Sequence, residues 1–381
     1  MGFQTRQKRY EFPKLEKRCG VCLSRRNDLS PQFRLNEEQA MKMKAVVMTG
    51  ANRPWEVWEV PVPKAEPGEV LVKVHASGMC YTDVWATQGY GGDIYPQTPG
   101  HEVVGEIVEV GAGVHTRRVG DRIGTTWVQS ACGRCPYCRE NRPLSGQTAM
   151  NCDAPRTTGF ASQGGHAEYI AVAAEGTVLL PDALTYVDAA PMMCAGYTTW
   201  SGLRDAAPQP HEKVAVLGIG GLGHVALQLS RACGFETIAI THSADKHALA
   251  TQLGAHHVVA NGAELRDIGG ADVLLVTTNE FGSAEEAMTG LRIDGRVVLC
   301  GLDFSRPFSI SSAGKPFHMM RQRVVGSTHG GLRYLGEVLN LASDGKVKPI
   351  VETFSLDQAT EAYDRLAAGK MRFRGVFTPS V

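Results

Sequence analysis

The sequence predicts an α/β protein in which a doubly wound parallel sheet stands beside a β-rich, barrel-like domain. Three observations predict it. From about residue 43 to 190, short Val/Ile-rich runs such as "EVLVKVHASG" and "HEVVGEIVEVG" are punctuated by Gly and Pro, the rhythm of an all-β domain. From about residue 213, strand-like runs ("KVAVLGIGGLG", "TIAIT", "DVLLVTT", "RVVLCGL") alternate with helical stretches, which implies parallel strands joined by crossover helices. The length, 381 residues of which 43% are hydrophobic and 20% charged, suits two domains that each bury a core.

Taken in order, residues 1–42 read as an N-terminal extension, poorly ordered; a natural start at Met41 or Met43 is the other reading. Residues 1–40 hold nine Lys/Arg against five acids and show little apolar periodicity. The pair Cys19 and Cys22 is half of a zinc site with no second half nearby, and reads as structural or incidental. "MKMKAVVMTG" opens the strand pattern of a first domain over 43–190. A dinucleotide-binding domain is expected over 191–325, where "LGHVALQLSRACG" and "ADKHALATQLG" are helical. The second of these has Leu249 and Leu253 one turn apart and Gly254 at its end. Residues 326–381 contain a helix and a late strand, "RGVFTPS", and are expected to rejoin the first domain. The formal net charge of zero argues against a general affinity for nucleic acid or anionic membrane. No apolar run approaches the roughly 18–20 residues of a membrane span, and no signal-peptide core is visible. A cytoplasmic protein acting on a small molecule is the expectation.

"LGIGGLGH" sets Gly218, Gly220 and Gly223 in G-x-G-x-x-G spacing between a strand and a helix that opens at Leu222. The glycines permit a tight turn, close approach of backbone to a pyrophosphate, and close helix–sheet packing. Gly221 and Leu222 belong to the same cradle, whose free N–H groups and positive helix end favour phosphate. The next strand decides the cofactor. NAD sites usually carry Asp or Glu at its end for the ribose hydroxyls, but here Thr241 stands there, followed by Ser243 and Lys246. Without a carboxylate to repel a 2′-phosphate, and with a hydroxyl and an amine at hand, NADP(H) is expected over NAD(H).

The cysteines form two groups. Cys132, Cys135 and Cys138 recur at x₂ spacing, with Cys152 beyond, a set that can close a tetrahedral structural zinc site; a pair of disulfides is the rival. "GMCYTDVW", "TPGHEVVGE" and "PMMCAGYTTW" supply Cys80, His101 with Glu102, and Cys194. One His and two Cys with a water would make an open, catalytic zinc site, although spacing alone does not select these three from the other histidines and cysteines.

These stretches, with "VGDRIG", "CGRCPYC", "GGHAEYI", "LGIGGLGH" and "GKVKPIVETF", occur in the order of a known family. From about residue 43 to its end the chain resembles the zinc-dependent, medium-chain alcohol dehydrogenases, in particular the bacterial and cinnamyl-alcohol-dehydrogenase-like branch. The resemblance implies a GroES-like catalytic domain with a Rossmann domain. It implies Cys80, His101 and Cys194 as ligands of a catalytic zinc, and Cys132, Cys135, Cys138 and Cys152 as ligands of a structural one. It also implies Thr82 as the hydroxyl that exchanges a proton with the substrate oxygen and Asp83 as the acid that orients the ligand histidine. Glu102 matches an acid behind the zinc, and Thr198 a residue that packs near the nicotinamide. Dimers or tetramers are the family habit.

Three departures stand out. Trp85 occupies the place where many relatives have a histidine that passes the proton outward; an indole has no acceptor nitrogen, so it reads as a pocket wall together with Trp127. Thirteen residues separate Cys138 from Cys152, more than the family has, a length that loop closure tolerates. Tyr81 stands where this branch often has histidine. The reading is a zinc-dependent oxidoreductase that transfers hydride between NADP(H) and an aromatic or medium-sized apolar alcohol/aldehyde pair. Its rivals are an NAD-dependent alcohol dehydrogenase of the same fold and a catalytically silent zinc- and nucleotide-binding redox sensor.

Overall fold

The computed structural model describes residues 41–92, 94–141, 147–310 and 317–379. The N-terminal extension, with Cys19 and Cys22, lies outside the described residues. Two large sheets organise the rest. The first has six strands in the order His257–Val259, Glu236–Ile240, Lys213–Leu217, Ala271–Val276, Leu291–Leu299 and Arg323–Gly326, every neighbouring pair parallel. Numbered along the chain this is the 3-2-1-4-5-6 order of a doubly wound dinucleotide fold. Its central strands are apolar without alternation because both faces are covered. Val214 and Val216 enter one hydrophobic core, while Ala215 and Leu217, pointing the other way, enter a second. The Rossmann sheet predicted from alternation is therefore present.

The second sheet runs in the order Val351–Phe354, Arg374–Phe377, Glu69–Gly78, Glu102–Val110, Arg122–Thr125 and Thr177–Leu179, with Tyr169–Ala173 also pairing to Glu69–Gly78. Val376 pairs with Gly78 across an antiparallel ladder, so the chain end lies in the same sheet as strand Glu69–Gly78. Helix Leu332–Ser343 instead places Leu335, Val338, Leu339 and Ala342 in the core that holds Val214 and Val216. No helix among the described residues is long and apolar enough to cross a membrane.

Two strands of the second sheet and one helix start deliver their ends to one place. Strand Glu69–Gly78 stops two residues before Cys80, which caps helix Tyr81–Thr87. His101 immediately precedes strand Glu102–Val110, and Cys194 caps helix Ala195–Ala206. Gly78 is required by this convergence: a Cβ there would lie 2.1 Å from a Glu102 carboxylate oxygen.

Candidate catalytic and metal centres

Cys80, His101, Glu102 and Cys194 each bring one ligand atom within 4.8 Å of the others. The Cys80 and Cys194 sulfurs are 3.9 Å apart and both are free thiols. Two thiolates on a tetrahedral zinc with bonds of about 2.3 Å stand about 3.8 Å from each other, so the separation suits one shared ion and is far too long for a disulfide. His101 turns Nδ1 toward an Asp83 oxygen at 3.5 Å, which leaves Nε2 as the ring atom available to the thiols. Asp83 itself is fixed from several sides. It accepts from the backbone N–H of Cys80 at 2.9 Å and of Gly100 at 3.3 Å, and lies 3.7 Å from Nε2 of His166. Burial opposes its ionisation, but His101 and His166 overcome that and hold its carboxyl well below the usual range. Thr82 Oγ1 is 3.4 Å from the Cys80 sulfur and sits with Tyr81 and Trp85 on the half-buried face of the helix.

Glu102 is fully buried and ion-paired to Arg374, which is itself 4% exposed. Burial pushes the Glu102 carboxyl up to about 7, and Arg374 restrains the rise. Arg374 also lies against the Gly-rich turn: a Cβ on Gly221 would meet its Nη1 at 3.1 Å. One guanidinium thus ties the acid beside the thiols to the Gly-rich turn. The sequence reading missed it, as an isolated Arg in "MRFRGVF" carries no motif.

In the Gly-rich turn, Gly218 has φ of +88°, and a Cβ on Gly223 would lie 1.9 Å from the Gly218 carbonyl oxygen. Both glycines answer needs of the turn itself. A Cβ on Gly220 would meet nothing within 4 Å, so the fold does not need glycine there and the turn is open on that side. His224 secures the turn, its Nδ1 3.0 Å from the Gly220 carbonyl while Nε2 accepts from the Ile350 N–H at 3.1 Å. Thr241 directly follows strand Glu236–Ile240, is buried, and accepts from the Ser243 N–H at 3.3 Å. Lys246 is half-buried in the same turn, and Asp245 there pairs at 3.1 Å with Arg372, which the sequence reading also missed.

Thr198 Oγ1 is 3.1 Å from Nε2 of His329, whose ring stacks on Tyr197 at 4.1 Å. Burial, with His101 adding, pushes His329 down to about 3, so the imidazole is neutral at ordinary pH. His329 lies just past strand Arg323–Gly326, at the carboxyl end of the sheet, where doubly wound folds bind ligands. Trp127 is half-buried, packs edge-on to Phe160, and has an indole N–H with no partner among the described residues. Its neighbour Thr126 donates to the Met193 carbonyl at 2.6 Å, which brings Trp127 beside the Cys194 segment. A separate cavity of about 520 Å³, lined by Met43, Trp58 and Arg156 among others, includes none of the predicted site residues.

The second cysteine group is also assembled. Cys132, Cys135, Cys138 and Cys152 lie within 4.8 Å of one another, with Cys132 and Cys138 sulfurs 4.0 Å apart. All four are free thiols, which removes the disulfide alternative in this structure. Backbone N–H groups point at the sulfurs: Cys132 to Cys152 at 3.2 Å, Cys135 to Cys132 at 3.4 Å, Cys138 to Cys135 at 3.4 Å and Ala154 to Cys152 at 3.3 Å. Such donors favour thiolate, and those of Arg134 and Cys135 lower Cys132 to about 6 while burial raises Cys138 to about 12. Four sulfurs that cannot all ionise side by side call for a cation, and the donor set fits zinc.

Residues 66–182 match the alcohol dehydrogenase GroES-like domain family and residues 221–344 the zinc-binding dehydrogenase family. An alcohol dehydrogenase of Geobacillus stearothermophilus is 40% identical over 342 residues, covering 88% of this chain and 99% of that protein. A solved structure from Sinorhizobium meliloti 1021 bound to NADP superposes with a TM-score of 0.79 at 26% identity, covering 89% of this chain and 100% of that one. The acetophenone reductase of Geotrichum candidum in complex with NAD gives a TM-score of 0.75 at 27% identity, covering 88% and 97%.

Proposed function

The chain belongs to the zinc-dependent, medium-chain alcohol dehydrogenases, and we propose that it interconverts aromatic or medium-sized apolar aldehydes and their alcohols with NADP(H) preferred over NAD(H). The observation that carries the reading is the pair of sulfurs of Cys80 and Cys194 at 3.9 Å with Thr82 Oγ1 3.4 Å from the first. Cys80, His101 and Cys194 hold the catalytic zinc; Cys132, Cys135, Cys138 and Cys152 hold the structural one. Bound in their places, zinc supplies Lewis acidity to the substrate oxygen and the nicotinamide supplies or takes hydride at the adjacent carbon. Thr82 holds the proton that the substrate oxygen gains or loses, because a hydroxyl donates and accepts at once. Trp85 has no acceptor nitrogen, so no side chain at that position continues the relay. Asp83 orients His101, and Glu102 with Arg374 sets the charge behind the thiols. Trp127 and Trp85 wall the substrate pocket, and Thr198, held by His329, faces the nicotinamide.

The cofactor preference rests on the strand end. Thr241 offers no carboxylate, and Ser243, Lys246 and Arg372 place donors around the same turn. The Gly218–Gly223 cradle, with Gly221 and Leu222, receives the pyrophosphate. The free thiols suit a reducing, cytoplasmic setting, and a homo-oligomer is expected.

The test compares kcat/KM for NADPH and NADH with zinc-loaded protein reducing benzaldehyde. NADPH is expected to be favoured, and Thr241→Asp to erode that preference by about tenfold or more through repulsion of the 2′-phosphate. An NADH preference in the unaltered protein overturns the cofactor assignment and leaves the zinc chemistry standing.

A further inference from the structure

The half-buried face of helix Tyr81–Thr87 carries Tyr81, Thr82 and Trp85, while Asp83, Val84, Ala86 and Thr87 face the core. This open face carries the hydroxyl beside Cys80. Its Trp85 is met from the dinucleotide-binding domain. Phe304, in the loop after strand Leu291–Leu299, meets Trp85 edge-on with ring centroids 4.8 Å apart. The same ring stacks on Tyr90 at 4.8 Å and 23°, and Trp85 in turn packs edge-on to Tyr81 at 5.4 Å.

The loop that presents Phe304 is held at its base. Gly301 and Cys300 both donate to the Val276 carbonyl at 2.9 Å, and a Cβ on Gly301 would lie 2.0 Å from the Thr278 carbonyl oxygen. The Asp303 carboxylate accepts from the backbone N–H of Phe281 at 3.1 Å and of Ser305 at 2.8 Å. A fixed base therefore carries a ring that remains 45% exposed, beside a Tyr90 that is 54% exposed. Core packing does not demand two large aromatic rings so exposed. Aromatic pairs favour offset or edge-to-face geometry, and a planar guest can join such a set by replacing water on a ring face.

We infer that Phe304 is a specificity-determining residue: with Trp85 and Tyr90 it forms an aromatic wall over the face that carries Thr82, and selects aromatic over short aliphatic alcohols and aldehydes. The inference rests on the alcohol dehydrogenase reading and names the part of the pocket that chooses the substrate. A second domain supplies this wall, so the selecting surface is complete only when the loop at 300–305 and helix Tyr81–Thr87 are in contact.

The experiment measures kcat/KM of unaltered, Phe304→Ala and Phe304→Tyr proteins with benzaldehyde and with propanal. Loss of one aromatic pair lowers the benzaldehyde-to-propanal ratio by about three- to tenfold in Phe304→Ala. Phe304→Tyr keeps the ring and keeps the ratio. Thermal unfolding of the three proteins checks that the half-exposed substitution leaves the fold intact. Calorimetric binding of benzyl alcohol and 1-propanol to the zinc-loaded protein gives the same ratio independently of turnover. Absence of turnover in the unaltered protein counts against the proposed reaction alone, and the binding ratio still decides the role of Phe304. Equal losses for both substrates, an unchanged ratio in Phe304→Ala, or no aromatic preference in the unaltered protein overturns the inference.

Discussion

Arg374 and Glu102 meet where neither has water to fall back on, so removing one charge strands the other. Glu102→Met, which leaves the guanidinium unpaired, is expected to destabilise the protein by about 3–5 kcal/mol, read from urea unfolding, while Glu102→Met with Arg374→Met recovers most of that loss. Equal destabilisation in the single and double variants would show that packing, not charge, sets the cost. His224 gives a pH signature. Burial pushes it down to about 4 from an ordinary value of 6.5, with Arg374 adding. Above pH 6.5 it is neutral folded or unfolded. As pH falls from 6.5 toward 4 the unfolded chain takes up a proton that the folded chain resists, so stability falls through that window by about 3 kcal/mol. His224→Gln keeps a donor and an acceptor but cannot titrate; its unfolding free energy should fall less steeply from pH 6.5 to 4. Parallel slopes for the two proteins would exclude His224 as the source. These residues also mark what a sequence conceals. Cys80, His101 and Cys194 became legible only through the family order of their motifs, because each is a single residue in a separate stretch. Arg374 and His329 had no such flag, and His166 stood in "GGHAEYI" with no role assigned: their roles come from burial and from partners far along the chain.

At the scale of elements, the cysteine lobe is built from little else than its sulfurs. Its core consists of Cys135, Cys138 and Cys152 with Ala131, Cys132 and Tyr137 around them, and its helix Pro136–Asn141 is only 6 residues long. Such a lobe has too little apolar area to hold itself, so on the proposed reading an ion would carry the fold locally. Cys138→Ser is therefore expected to lower the zinc bound per chain by one ion, measured by elemental analysis. Two ions retained in the variant would contradict the four-thiol site. The sequence disclosed this element well, because x₂ spacing is local. It disclosed the Rossmann strands for a different reason: burial on both faces leaves unbroken apolar runs, and Gly-rich turns punctuate them. It could suggest that the chain end returns to the first domain but not which strand receives it. The pairing of Val376 with Gly78 joins residues some three hundred apart, and a strand of only four residues carries too little pattern to choose its neighbour.

At the scale of the whole molecule, the six-stranded sheet ends on strand Arg323–Gly326, and among the described residues no strand pairs with its outer side. A free edge presents a row of unpaired N–H and C=O groups, which proteins normally cover or blunt. This one is not blunted by apolar scarcity: Val324 is 40% exposed, Met319 70% and Ile293 56%. Ile293 and Met319 are drawn together by the bond from the Asp294 N–H to the Met320 carbonyl, and Val324 lies on the edge strand itself, paired with Val297. An apolar margin beside an open edge suits a second copy related by a two-fold axis, in which the same strand serves both partners and the two sheets become one. Sedimentation equilibrium is expected to give a dimer or a multiple of it at micromolar concentration. Val324→Pro removes a ladder donor and stiffens the edge, so its mass should shift toward the monomer, with an unfolding temperature that depends less on protein concentration. A variant that sediments like the unaltered chain would place the contact elsewhere.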